Sequence, residues 1–144
     1  MKRIMVFVLM VCLLLTSCQA EVAKDSDEWG LTLSAENVTD VGMTLVFTHS
    51  GGEKTGELQT GAWFSLDKFV NGEWTPLETE PIDFAWTMVA YMIKEDDTTK
   101  LDVNWEWLYG RLPAGKYRIN KEIMDFRQPG DYDEKIYSTE FEID

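Results

Sequence analysis

The chain has 144 residues, 44% of them hydrophobic and 12% aromatic, which is enough apolar bulk for the core of one domain and too much for a disordered chain. Its formal net charge is -13, with no run of Lys or Arg after residue 3, so nucleic acid and anionic lipid headgroups would be repelled. A single histidine excludes two-His and three-His metal centres, and no His-Glu-x-x-His, Gly-x-Ser-x-Gly or Gly-x-x-x-x-Gly-Lys pattern is present.

Residues 1–17 read as a lipoprotein signal peptide. Lys2 and Arg3 form a positive start, and Ile4 to Leu15 is an unbroken apolar run. As a helix that run would span roughly 18 Å, well short of the ~30 Å hydrocarbon core of a bilayer. Leu15-Thr16-Ser17-Cys18 then resembles the lipobox of bacterial lipoproteins, in which the cysteine thiol is acylated and becomes the new N-terminus. Cys12, the other cysteine, lies inside the segment to be removed, so no disulfide is expected. Residues 18–29 are the lipidated end and a short acidic tether. Gln19 to Glu28 could reach at most about 35 Å, which keeps the domain near its membrane. Lipid on Cys18 would hold it there, on the extracytoplasmic face of the cell membrane.

From Gly30 to the end, the pattern is β. Leu31, Leu33 and Ala35 alternate with polar residues, Thr39 to Gly42 is a turn, and Met43, Leu45 and Phe47 alternate again. His49 to Gly56 is a polar, Gly-rich loop in which His49 is expected to be solvated. A strand from Leu58 to Val70 is paired through Asn71-Gly72, a strong hairpin signal, with Glu73 to Leu77. Within it, neighbouring Trp63 and Phe64 must face opposite ways unless a bulge intervenes. Asp83 to Ile93 is apolar without alternation and suits a strand buried on both sides or at a sheet crossing. Leu101, Val103, Trp105 and Trp107 present one apolar face, Lys116 to Asp125 form the next strand, and a turn at Gln128-Pro129-Gly130 leads to a last strand ending in Phe141 and Ile143.

Between the last Trp-rich strand and Lys116 stands Leu112-Pro113-Ala114-Gly115-Lys116-Tyr117. A Tyr two residues after Gly at such a corner is the arrangement of a tyrosine corner, whose ring fills the end of a sandwich core while its hydroxyl bonds backbone upstream. Leu112, Gly115 and Tyr117 are its candidate members. Seven or eight short antiparallel strands with turns between them indicate an all-β, immunoglobulin-like β-sandwich over residues 30–144. Simple reversal of each successive strand leaves one strand too many before the corner, which a short extra segment or a crossover near Pro81 to Phe84 would repair.

The chain from Gly30 to Ile143 resembles a bacterial immunoglobulin-like domain of the kind carried by small lipoproteins. Gly30-Leu-Thr-Leu-Ser, Gly56-Glu-Leu-Gln-Thr-Gly61 and the stretch from Trp105 to Glu122 carry the resemblance. It implies a fold, and it brings no catalytic motif and no cofactor.

Function is therefore sought in surface features. Asp125, Asp131, Asp133 and Glu134 cluster about the Pro129-Gly130 turn, and Asp96 and Asp97 lie in another loop, but the Asp-x-Asp-x-Asp-Gly register of a calcium loop is missing. Six tryptophans raise carbohydrate stacking, although most of them fall on expected core faces. Phe126, Arg127 and Tyr132 flank the last turn, at the same pole as the loop from His49 to Gly56, and Arg and Tyr are common interface anchors. The expected function is a non-enzymatic binding or structural module at the cell envelope, with an envelope protein as partner and this pole turned toward the membrane. The alternative is a small-ligand module for carbohydrate or calcium, using Trp63 or the acidic loops. No enzymatic role, cofactor, metal or nucleic-acid partner is expected.

Overall fold

A computed structural model describes residues 27–144; the expected signal segment, Cys18 and the expected tether up to residue 26 lie outside the described residues. Strands β1 (Leu31–Glu36), β2 (Gly42–His49) and β7 (Thr98–Asn104) form one antiparallel sheet with β2 in the middle. The second sheet holds β3 (Glu57–Thr60), β4 (Ser65–Val70), β5 (Glu73–Pro76), β6 (Tyr91–Met92), β8 (Gly115–Gln128) and β9 (Asp131–Ile143). β8 is its axis, with β9 along one edge and both β3 and β4 along the other. The result is an immunoglobulin-like sandwich, its core formed where the alternating inner residues of the two sheets meet. Leu45 and Phe47 of β2 and Tyr117, Ile119 and Ile123 of β8 are almost wholly buried there.

The expected strand from Leu58 to Val70 is broken at Gly61 to Phe64. Its halves, β3 and β4, pair successive stretches of β8, Phe126 to Ile123 and then Asn120 to Tyr117. Lys121 lies opposite the break, and its ammonium takes the Gly61 carbonyl and, at 2.7 Å, the Trp63 carbonyl. Those oxygens are thereby satisfied without a partner strand. The neighbouring edge is broken at the same level. β5 leaves the Asn71-Gly72 turn, where both residues have positive φ as a tight hairpin requires, and pairs β4, while β6 pairs β3. Counted as two broken strands, these four pieces restore seven strands.

Residues 77–90 are an excursion between β5 and β6, not the buried strand expected over Asp83 to Ile93. Ile82 is 95% exposed and Met88 fully so, and the segment is tied by contacts such as the Glu80 amide on the Leu108 carbonyl, 2.8 Å. An apolar run with no partner strand and no alternation cannot bury both of its faces. This excursion also answers the count of strands, since the chain crosses here without adding one.

A second correction concerns Trp105 to Trp107. β7 ends at Asn104, and a one-turn helix α1 (Glu106–Tyr109) follows. Trp105 is fully buried, whereas the turn swings Trp107 out to 48% exposure. Only Trp29 and Trp105 of the six tryptophans are deeply buried, so the expectation that most lie in the core fails.

Candidate functional site

Tyr117 is fully buried beneath the end of the sandwich, and its hydroxyl donates to the Pro113 carbonyl at 2.6 Å. Its ring stacks on Phe141, which stacks in turn on Trp105. Leu112 is buried beside them and its amide bonds the Asp40 carbonyl, while Gly115 opens β8 close to the Tyr117 ring. These residues hold the corner and present nothing to a ligand.

At the opposite pole, the loops of residues 50–56 and 126–133 meet. The Asp125 carboxylate accepts from the Thr55 and Gly56 amides, 2.6 Å each, and from the Thr55 hydroxyl. Burial alone would raise this carboxyl, but those donors and Arg127 outweigh it and hold it below its ordinary value. Asp125 is thus an inward strand residue and no member of an acidic loop cluster. Gly56 is needed here, because a Cβ would fall 2.2 Å from the Phe126 carbonyl oxygen. Arg127 is occupied by Asp131 at 2.8 Å, Asp133 at 2.9 Å and the Thr55 hydroxyl at 2.6 Å. Phe126 and Tyr132 stack across the hairpin, with Tyr132 exposed. Of the three residues expected to bind, Tyr132 alone is free to do so, since Arg127 braces its own loop and Phe126 is half-buried. Among the described residues no group of three acidic, His or Cys side chains could hold a metal.

His49 is buried, against the expectation of a solvated loop residue. Its Nδ1 accepts the Asp96 amide at 2.8 Å, and the Asp96 carboxylate reaches back to the Gly51 amide, so one loop folds over another. Nε2 has no partner among the described residues.

A concave surface with aromatic walls lies elsewhere, between the excursion and β7. A cleft of about 150 Å³ is lined by Phe64, Trp86, Tyr91, Trp107 and Lys121 and by Leu101 to Asn104. Phe84, Trp86 and Trp107 pack edge to face around it, with ring centroids 5.5 to 6.0 Å apart, and Trp86 also meets Phe64 at 5.2 Å. A cavity of that size takes one six-membered ring. Lys121 lines the cleft from the inner face of β8, and burial lowers its ammonium to about 8. Two of its three N–H groups hold the broken strand. Trp63, the earlier carbohydrate candidate, is half-buried and supplies this site with a carbonyl for Lys121.

Residues 25–142 match the bacterial Ig-like domain family. The chain belongs to that family. No curated protein and no solved structure matches it. Bacterial Ig-like domains are typically non-catalytic binding or structural modules, and this member has the two antiparallel sheets of the fold with almost no helix. In this Ig-like domain, the excursion and the cleft beside it are the features that sequence reading missed. The available signal was the unpatterned apolar run from Asp83 to Ile93, whose side chains had no alternation to assign them to a core.

Proposed function

We propose that this Ig-like domain is a lipid-anchored, non-enzymatic binding module of the cell envelope that takes a protein partner at the Trp86–Trp107 cleft. The observation that carries this reading is the ring of Phe84, Tyr91 and Trp107, each 39 to 48% exposed, around a concave site at one open side of the sandwich. Clustered aromatics with partial exposure are the usual anchors of protein interfaces.

The lipobox at Leu15 to Cys18 supports anchoring. Asp27 and Glu28 pair with Lys135 beside the 126–133 hairpin, whereas α1 lies at the other end of β2, where Trp105 bonds Val41. A tether at residue 27 therefore favours an orientation with the cleft turned away from the membrane.

The test is cross-linked capture from intact cells of the lipidated protein, its Cys18→Ala form and a Trp86→Ser/Trp107→Ser form. One envelope protein should be recovered with the first and lost with the others. Equal recovery with the tryptophan variant would remove the cleft from the function.

A further inference from the structure

The sandwich is open along β7. The Trp105 amide donates to the Val41 carbonyl and the His49 amide to the Asp97 carbonyl, at 2.9 and 3.0 Å, which fixes the odd-numbered residues of β7 as those whose backbone faces β2. The N–H and C=O groups of Lys100, Asp102 and Asn104 therefore point away from β2, and among the described residues nothing pairs with them. In other sandwiches a further strand commonly covers this edge. Here the excursion of residues 77–90 stands off from β7 and leaves the cleft between them.

An unpaired strand edge is a template for another strand unless it is blocked by a bulge, a proline, a covering loop or charged side chains, Lys above all. β7 has neither bulge nor proline, and four consecutive residues of it, Leu101 to Asn104, form one wall of the aromatic cleft. Backbone hydrogen bonds and a side-chain pocket are thus side by side, as strand-addition recognition requires. The cations nearby are already engaged, Lys100 by Glu36 at 2.7 Å, Lys121 by two backbone carbonyls and Arg111 by Asp40 and Glu106, while Asp102 lines the cleft and Asp83 and Glu106 are exposed immediately before Phe84 and Trp107. The chain as a whole carries -13, so edge-to-edge pairing of two copies would bring like charges together.

Resting on the protein-binding reading above, we propose that the partner is recognised by strand addition: an extended segment, rich in Lys or Arg and bearing one aromatic or large aliphatic side chain, pairs antiparallel with the free edge of β7 and places that side chain in the cleft against Trp86 and Trp107. The segment supplies donors and acceptors to Lys100, Asp102 and Asn104, and its cationic side chains lie over Asp102, Glu106 and Asp83.

The probe is the blocked peptide Lys-Val-Lys-Phe-Lys-Val-Lys, titrated into residues 27–144. Tryptophan fluorescence reports the cleft, and amide hydrogen exchange reports the edge. The expected result is saturable binding with at least tenfold slower exchange at the Lys100, Asp102 and Asn104 amides. N-methylation of one alternate set of peptide amides should cost at least tenfold in affinity, while methylation of the other set is tolerated. Asp102→Pro removes a donor that faces away from β2, so the fold should persist and peptide affinity should fall at least tenfold. A fluorescence change without edge protection would overturn strand addition while leaving the cleft as the binding site. Equal loss from both methylated sets, equal binding of the Glu-for-Lys peptide, or no binding would each overturn the proposal. Concentration-dependent edge protection without peptide would replace the partner with a second copy.

Discussion

Lys121 and Asp125, four residues apart on the inner face of β8, clamp the two ends of β3. Asp125 takes the Thr55 and Gly56 amides just before the strand begins, and Lys121 takes the Gly61 and Trp63 carbonyls just after it ends. A four-residue strand would otherwise contribute few ladder bonds. Two buried charges, each matched to backbone groups of the sign it needs, complete the hydrogen bonding at both of its ends.

Replacing Asp125 by Ala should therefore destabilise the domain by about 2–3 kcal/mol at pH 7, because three charge-assisted bonds disappear and two amides lose their acceptor. The Asp125 carboxyl is held below its ordinary value, so its contribution is present above the unfolded-state value of about 4 and is lost as pH falls through the lower folded value. Urea denaturation as a function of pH should show a flatter acid limb in the variant than in the natural protein.

Lys121 acts in the opposite sense. Its folded value is lowered to about 8 from 10.5, so both states are protonated at pH 7 and the buried charge opposes folding in full. Above pH 8 the folded chain releases the proton first, and stability should rise up to about pH 10.5, by as much as ~3 kcal/mol. Lys121→Met should abolish that rise. At pH 7 relief of the buried charge opposes the two orphaned carbonyls, so the slope of stability against pH between 8 and 10 is the diagnostic measurement.

Tyr117→Phe keeps the stacked ring and deletes only the bond to Pro113. A loss of about 1 kcal/mol in urea unfolding, with unchanged m-value, is expected. A much smaller loss would mean that the corner is held by Leu112 and the aromatic stack alone.

The two candidate surfaces can be separated by substitution. Arg127→Ala should lower Tm, because the guanidinium joins Asp131, Asp133 and Thr55, yet leave binding of the basic peptide unchanged. Tyr132→Ala should change neither. Trp107→Ser should abolish peptide binding at a stability cost of about 1–2 kcal/mol, since its ring packs on Phe84 and Trp86. Calorimetric titration of the three variants checks the set.

The sandwich was legible in the sequence where local chemistry and burial agree. Asn71-Gly72 can hardly be anything but a tight hairpin, and the alternation of Met43, Leu45 and Phe47 places one face inward. The breaks were not legible, because they depend on partners distant in sequence: Lys121 is 60 residues from Gly61, and its inward position in an otherwise apolar row gave no local sign. Trp105-Glu106-Trp107 fits a two-residue period as well as it fits the first turn of a four-residue helix, which is too short to show a period of its own. Arg127 resembled an anchor because its ion-pair partners, Asp131 and Asp133, could not be assigned to it before the register of β8 and β9 was known. His49 looked solvated for the same reason, since Asp96, whose loop covers it, lies 47 residues later.

The antiparallel ladder of β1, β2 and β7 also has a mechanical meaning. A lipid tether would pull on the domain at Asp27, just before β1, and a strand bound along β7 would pull at the far side of the same sheet. Such a load runs along the strand axes, across six residue pairs between β1 and β2 and seven between β2 and β7. Hydrogen bonds perpendicular to the pull are then sheared together instead of being peeled one at a time. If the domain is lipid-anchored and binds a strand at β7, the same sheet would carry tension between the two attachments.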